Sequence, residues 1–335
     1  MEYLNLYNPR SIEKLIAKRE GETRFGEKVG FLDALQDLGK AKAKFVLFGI
    51  PEDIGVRANY GKPGAAKAWD ACLNSLLNIQ YNELTHPENI ILLGEIDCKS
   101  EMEKAENIDE SDPNYYVKLG DLVEKVDEKV SLLVEKIVVA GKIPIIIGGG
   151  HNNAYANIKG TYKAIKKPLN ILNIDAHTDL RQLEHRHSGN GFSYAKYNGF
   201  LGKYAMFGLH KNYTPQYIFE EINSNSKLRF QLFEEFILQT HQGKMQAYNS
   251  HLEFINRQAF GLEIDCDAIA NFPSSAQSPS GFSLNMIRNF IQLTSEEKNC
   301  KYMHLCEAAP NEQNKNQVGK ALAYFITDFM GKNEK

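Results

Sequence analysis

Short apolar runs alternate with helical patterns along most of the chain. Strands that alternate with helices in this way predict βαβ units, a parallel sheet and helices on both of its faces. Eight runs have the length and β-branched content of buried strands: Phe45 to Ile50, Ile90 to Leu93, Ile143 to Ile147, Leu169 to Ile174, Tyr204 to Leu209, Leu228 to Phe233, Phe260 to Ile264 and Tyr302 to Cys306.

Two helices have the clearest periodicity. Apolar residues recur at intervals of three and four from Leu119 to Ile137, where Gly141 ends the pattern, and again from Val318 to Phe329. No repeat, low-complexity tract or long linker divides the chain, so we expect a single domain over residues 1–335, with its motifs between about 45 and 329.

Composition narrows the range of partners. The 335 residues carry a net charge of -3, and acids and bases are mixed along the chain, which predicts a small-molecule partner and no nucleic acid or membrane. The five cysteines are odd in number and widely spaced without a CxxC, which favours reduced, mostly buried thiols. No signal-like segment or apolar stretch of membrane length is present, so a cytoplasmic location is expected.

Polar clusters follow three of the apolar runs, where ligands bind in sheets of this kind. Asp175, His177 and Asp179 alternate off the end of one predicted strand, so their side chains should converge on one side. Buried carboxylates around an imidazole need a counter-charge, and a divalent cation supplies one. A strand end with solvated polar residues is the alternative interpretation.

The second cluster is a glycine triplet, Gly148 to Gly150, that presents His151 after another strand; a plain strand-to-helix turn would explain it equally. The third has Glu263, Asp265 and Asp267 in alternation, and a solvated loop is its alternative. Together the clusters offer two imidazoles and up to five carboxylates. That set suits two octahedral, manganese-like ions better than a tetrahedral zinc.

The ordered motifs GGGH, DAHTDLR, EIDCD and CEAAP (residues 306–310) resemble those of the ureohydrolase family, which includes arginase, agmatinase and formimidoylglutamase. The resemblance implies a three-layer α/β/α arginase-like fold with a mostly parallel eight-stranded sheet. It also implies a homo-oligomer, two Mn²⁺ per chain, and hydrolysis of a C–N bond in an amidine or guanidine.

The same resemblance implies most of the metal ligands. Four of six are His151, Asp175, His177 and Asp179. The remaining two depend on register, because a literal DxD selects Asp265 and Asp267, whereas counting back from Pro273 selects Glu263 and Asp265. We favour Asp267 over Glu263, since glutamate would be an unusual ligand there.

Three segments are most similar to the formimidoylglutamase branch: GGGH, the stretch GIPEDIGVRANYGKPGAA (residues 49–66), in which Lys62 stands where arginine is usual, and DLR followed by HSGNGF. N-formimidoyl-L-glutamate carries two carboxylates and a cationic amidine, so its site should offer more than one cation and a single acid. Its products would be L-glutamate and formamide.

By this resemblance, two arginines bind the substrate carboxylates with two asparagines as hydrogen-bonding partners, Glu307 holds the amidinium, and Asp179 relays a proton to the leaving nitrogen. The four substrate-binding residues are Arg57, Asn59, Arg181 and Asn190. Structural roles stay open for three residues: Arg57 on a surface loop, Arg181 orienting a metal ligand, and Glu307 capping a helix.

Three further histidines, His185, His187 and His210, are weaker candidates for the cleft. Two other functions also stay open. An arginase- or agmatinase-like enzyme would keep the metals and release urea. A non-catalytic, metal-poor binding or regulatory paralogue would follow if Glu263 took a ligand position and weakened the second metal.

Overall fold

The computed structural model describes residues 3–331, which form one sheet between two layers of helices. The strands are β1 (Leu4–Leu6), β2 (Phe45–Gly49), β3 (Ile90–Ile96), β4 (Ile143–Ile147), β5 (Leu169–Ile174), β6 (Leu201–Leu209), β7 (Leu228–Leu232), β8 (Phe260–Asp265) and β9 (Cys300–Cys306). Their order across the sheet is β1-β3-β2-β4-β9-β8-β5-β6-β7.

The helices are α1 (Pro9–Ile12), α2 (Ile54–Ala58), α3 (Ala68–Leu76), α4 (Lys99–Glu106), α5 (Tyr115–Val139), α6 (Asn153–Ile165), α7 (Gly191–Tyr197), α8 (Gln216–Ser224), α9 (Phe233–Phe236), α10 (His241–Ile255), α11 (Leu284–Ser295) and α12 (Lys315–Met330). Both helices with clear periodicity are present, as α5 and α12. Short 3₁₀ turns connect several of these elements.

Strands β2 to β9 pair in parallel throughout, and they are the eight strands that the apolar runs predict. The ninth strand, β1, pairs antiparallel with β3 at one edge. Three residues are too few to show a period, so the sequence gives no signal for β1. The expected three-layer, mostly parallel α/β/α fold is confirmed, with one added edge strand.

Alternation along each strand divides the core into two apolar layers. In β2, Phe45 and Leu47 belong to the apolar layer that also contains residues of α3, α10, α11 and α12, whereas Val46 and Phe48 belong to the opposite layer, with residues of α5, α6, α7 and α8. Because both faces are covered, the central strands are continuously buried. All five cysteines are buried and free, as expected.

Among the described residues, none of the helices combines the length and the hydropathy needed to cross a bilayer. The topology instead defines a cleft. Neighbouring strands β4, β9, β8 and β5 lie at the centre of the sheet, and all four run in the same direction. Their carboxyl ends therefore open side by side, at the position where ligands bind in α/β sheets.

Candidate metal centre

His151 and Asp175 are brought together by the two outer strands of this central group. His151 follows β4 through the glycine triplet, and Asp175 directly follows β5. Gly149 has φ +70°, and a Cβ there would lie 2.2 Å from Asn153 Nδ2, so only glycine fits this turn. The chain can thus turn sharply enough to bury His151, which is 1% exposed.

Three buried carboxylates, the partly exposed Asp179 and two imidazoles form two adjoining groups at the strand ends. In the first, His151 Nδ1 lies 3.2 Å from Asp175 Oδ2, 2.9 Å from Asp179 Oδ2 and 3.2 Å from Asp265 Oδ2. In the second, His177 Nδ1 lies 3.0 Å from Asp267 Oδ2 and 3.5 Å from Asp175 Oδ1. Asp175 belongs to both groups, which is the arrangement of a binuclear site.

The electrostatics of these groups show how crowded the charges are. Burial raises the pKa of Asp179 and of Asp265, and neighbouring carboxylates raise both further. Burial also opposes ionisation of Asp175, but the imidazoles of His151 and His177 beside it outweigh burial and lower that pKa. Buried carboxylates that repel one another in this way call for cations.

The residues fit divalent metal ions. Within residues 3–331, both ring nitrogens of His151 and Asp267 Oδ1 are buried and form no hydrogen bond. Other ligand oxygens are oriented by the backbone: Asp175 Oδ1 accepts from His177 N at 2.7 Å, and Asp265 Oδ1 accepts from Asp267 N at 2.8 Å. Carboxylate oxygens with few imidazoles are a donor set for a hard cation such as Mn²⁺.

Glu263 and Asp267 lie in different surroundings. Asp267 faces His177, whereas Glu263 lies two residues before the carboxyl end of β8, where its carboxylate contacts Tyr302 and His304. Glu263 still belongs to a third, deeper group with His151 and Cys306. Burial raises the pKa of the Cys306 thiol well above its usual value, and the thiol donates to Ile264 O at 3.5 Å, so Cys306 remains neutral.

Glu307 follows β9 and lies beside the first group. Its Oε1 accepts from His151 N at 2.7 Å, and Ser275 donates to its Oε2. Burial raises its pKa to about 7. Glu307 and Asp179 both have left-handed backbones, with φ 61° and 49°, a conformation that costs free energy for a non-glycine residue.

The four residues expected to bind substrate are placed differently. Arg181 is half exposed and donates to Asn59 Oδ1 at 2.7 Å, and Asn59 donates to Ser188 Oγ at 3.1 Å. Arg57 donates instead to Ala105 O at 2.8 Å and to Tyr115 Oη at 3.3 Å. The substrate-binding roles of Arg57, Asn59 and Arg181 stay predictions.

Asn190 is buried and organises the loop between β5 and α7. Its Oδ1 accepts from Arg186 Nη1 at 2.6 Å and from His187 N at 3.1 Å, while its Nδ2 donates to His185 O. Arg186 in turn forms a buried ion pair with Asp127 of α5. These contacts tie Asn190 to the loop, and its role toward substrate stays a prediction.

The three weaker histidine candidates have partners of their own. His185 Nε2 contacts Ala58 O at 3.0 Å, and His187 is buried with Nε2 2.9 Å from Glu184 Oε1. His210 stacks between Phe233 and Tyr213, and Tyr213 stacks in turn on His177. His210 therefore lies one ring away from a candidate ligand.

Sequence reasoning missed Glu52, a fully buried carboxylate beneath the glycine triplet. It accepts from Gly150 N at 3.2 Å, Asn153 Nδ2 at 2.6 Å and Ile54 N at 2.7 Å. Burial raises its pKa. The available signal is its position just after the β2 run, because ligands bind beyond the carboxyl ends of parallel strands.

Known proteins resemble this chain over most of its length. A formimidoylglutamase from Geobacillus sp. (strain WCH70) is 26% identical over 332 residues, covering 95% of this chain and 94% of the relative. A formimidoylglutamase from Hahella chejuensis (strain KCTC 2396) is 30% identical over 266 residues, covering 74% and 72% of the two chains.

Solved structures share the fold. The formimidoylglutamase of Bacillus subtilis superposes with a TM-score of 0.73 at 17% identity, covering 93% of this chain and 92% of the other. The Trypanosoma cruzi formiminoglutamase with Mn²⁺ superposes with a TM-score of 0.71 at 18% identity, covering 92% and 97%. The family described as "Arginase family" matches residues 43–331, and the chain therefore belongs to the arginase family of metal-dependent hydrolases.

Proposed function

We propose that this chain is a formimidoylglutamase, which hydrolyses N-formimidoyl-L-glutamate to L-glutamate and formamide with two Mn²⁺ ions. The observation that carries the proposal is the pair of ligand groups that share Asp175, with Glu307 beside them and Arg181 two residues after Asp179. The formimidoylglutamase relatives that span most of the chain support the choice within the family.

In this proposal, His151, Asp175, Asp179 and Asp265 hold one ion, and Asp175, His177 and Asp267 hold the other. Bound cations of this kind polarise the reacting group and lower the pKa of water toward neutrality. The chain supplies the orientation, because hydrogen bonds from backbone amides and from Asn173 Nδ2 fix Asp175 and Asp265 before any ligand arrives.

Glu307 holds the cationic amidine. The His151 amide and the Ser275 hydroxyl fix its two oxygens, so the carboxylate keeps one orientation beside the metal groups. A cationic substrate stabilises the ionised form of this buried acid, which offsets the cost of its desolvation. In this proposal Asp179, whose Oδ2 lies 2.9 Å from His151 Nδ1, carries a proton to the leaving nitrogen.

Arg181 binds a substrate carboxylate, with Asn59 orienting the guanidinium. Its other partner, Glu184 Oε1, is 3.4 Å away and largely exposed, so an incoming carboxylate competes with a weak surface contact. Planar guanidinium groups bind carboxylates through two parallel hydrogen bonds. A substrate with a carboxylate should therefore bind better than agmatine, which has none.

The test offers N-formimidoyl-L-glutamate, L-arginine and agmatine separately to the Mn²⁺-loaded protein, and measures products and bound metal on the same sample. We expect glutamate and formamide from the first substrate, with about two ions per chain. Urea from arginine or agmatine would identify a guanidino hydrolase instead. No turnover with one ion or none would leave the non-catalytic binding protein.

A further inference from the structure

Glu263 lies beneath the metal groups, in a buried polar cluster that the proposed reaction does not use. Its Oε1 accepts from Tyr302 Oη at 2.6 Å, and its Oε2 lies 2.6 Å from His304 Nδ1. All three side chains are fully buried. A carboxylate that is hydrogen-bonded on both oxygens in this way has a fixed position.

The pairing of β8 with β9 leaves space for this cluster. Glu263 of β8 is paired in register with His304 of β9, and Gly261 is paired with Tyr302. A Cβ on Gly261 would lie 2.4 Å from Tyr302 Cζ and 2.7 Å from its hydroxyl oxygen. The missing side chain at Gly261 therefore provides the space through which the tyrosine reaches Glu263.

The cluster also contacts the turn that presents His151. His304 Nε2 donates to Gly148 O at 3.1 Å, so the imidazole bridges Glu263 and the glycine triplet. Glu263 Oε2 lies 3.7 Å from His151 Nε2, while the opposite nitrogen of that ring, Nδ1, faces Asp175, Asp179 and Asp265. The His151 ring thus lies between Glu263 and the first ligand group.

We propose that Glu263, held by Tyr302 and His304, is a positioning residue that keeps Nδ1 of His151 directed at the first metal ion. At 3.7 Å the contact is longer than a hydrogen bond, so Glu263 acts on the ring through its charge. A carboxylate that faces the far nitrogen of a ligating histidine favours the tautomer with its proton on that nitrogen, which leaves Nδ1 free to bind metal. This inference rests on the proposed function, because it assumes that His151 binds metal.

A role as a ligand is less consistent with the geometry. Both Glu263 oxygens already have partners in Tyr302 and His304, and the Cys306 thiol beside them donates to Ile264 O. A purely structural ion pair between β8 and β9 is the remaining alternative. The two roles differ in whether metal affinity changes at the site that contains His151.

The experiment compares the full-length wild type with Glu263→Gln, which keeps the side-chain shape and removes the charge. We expect about a 10- to 100-fold loss of Mn²⁺ affinity at one of two sites, with the other site little changed. Calorimetric titration with Mn²⁺ and Mn²⁺ paramagnetic resonance measure the two affinities without any assay of activity. Tyr302→Phe, which removes one hydrogen bond to Glu263, should give a smaller loss at the same site.

The matched control is Glu101→Gln, another buried carboxylate with a cationic partner, Lys129, at 2.6 Å. It should bind both ions as the wild type does. A lower thermal midpoint of metal-free Glu263→Gln with both Mn²⁺ affinities unchanged would overturn the inference and leave a structural ion pair. If Glu263→Gln does not fold, unchanged affinities in Tyr302→Phe overturn it. A wild type that binds no Mn²⁺ would overturn the proposed function as well.

Discussion

At the scale of single residues, Arg181 and Arg57 are a natural pair for testing substrate recognition. Arg181→Gln should raise KM for N-formimidoyl-L-glutamate about 10- to 100-fold with kcat little changed, because a charge-assisted hydrogen bond contributes about 1.5–3 kcal/mol. Steady-state kinetics at saturating Mn²⁺ measure both constants.

Arg57→Gln is the matched control, since the Arg57 guanidinium is used by Ala105 O and the Tyr115 hydroxyl. We expect a smaller rise in KM from this variant. If the two substitutions raise KM equally, Arg57 also binds a substrate carboxylate, as the motif implies. If KM is unchanged in Arg181→Gln, Arg181 does not bind a substrate carboxylate.

His187 makes the stability of the protein depend on pH. Its Nδ1 accepts from Gly189 N at 3.1 Å, and burial lowers its pKa to about 4. An unfolded histidine titrates near 6.5. Between those values the unfolded chain binds a proton that the folded chain does not, so stability is complete above about pH 6.5 and falls as the pH drops toward 4.

From pH 7.5 to pH 5 this effect should lower the free energy of unfolding by about 2 kcal/mol. His187→Asn offers Oδ1 to the same Gly189 amide and lacks the titration, so its free energy of unfolding should fall less over that interval. Urea unfolding at the two pH values measures the difference. The exposed His241, changed to Asn, should behave as the wild type; a His187→Asn profile parallel to the wild type would contradict the assignment.

At the scale of elements, the glycine triplet between β4 and α6 determines where His151 lies. Gly149→Ala would add strain at φ +70° and a clash with Asn153 and Glu52, so we expect a loss of about 2 kcal/mol or more in stability and weaker Mn²⁺ binding. Gly141 is the matched control, because it has φ +73° but nothing within 4 Å of an added Cβ. Gly141→Ala should cost about 1 kcal/mol and leave Mn²⁺ binding unchanged.

Elements with a long hydrophobic period were predictable, and elements fixed by tertiary contacts were not. The eight parallel strands and helices α5 and α12 bury one or both faces, so their apolar residues recur in the sequence with the pattern of a buried strand or an amphipathic helix. Strand β1 depends on pairing with β3, and its three residues carry no period. The short helices α2 and α9 are likewise set by the loops around them.

At the scale of the whole molecule, the sequence predicts which residues follow the strands, but it does not give the order of the strands in the sheet. Alternation predicted that Asp175, His177 and Asp179 share one side of a strand, but Asp175 directly follows β5 and Asp179 has φ 49°. A loop therefore brings these three residues together, and the strand order brings His151 and Asp265 next to them. Side-chain contacts beyond the strand ends were not predictable: Arg57 donates to Ala105 O and the Tyr115 hydroxyl, contacts that the sequence does not indicate, and its role toward substrate stays a prediction.

Metal removal should lower the stability of the whole fold, because the candidate ligands follow three strands of the central group. Buried carboxylates that repel one another in the metal-free protein are neutralised by cations, and a ligand at 100 times its Kd adds about 2.7 kcal/mol of stability per site. Chelator-treated protein should therefore melt several degrees below Mn²⁺-loaded protein in scanning calorimetry, and added Mn²⁺ should restore the higher melting temperature.

Asp175→Asn, which alters the candidate ligand common to both groups, should abolish most of this Mn²⁺-dependent shift, whereas the exposed Asp109→Asn should retain it. Equal melting temperatures with and without Mn²⁺ in the wild type would mean that the ions do not bind at these strand ends.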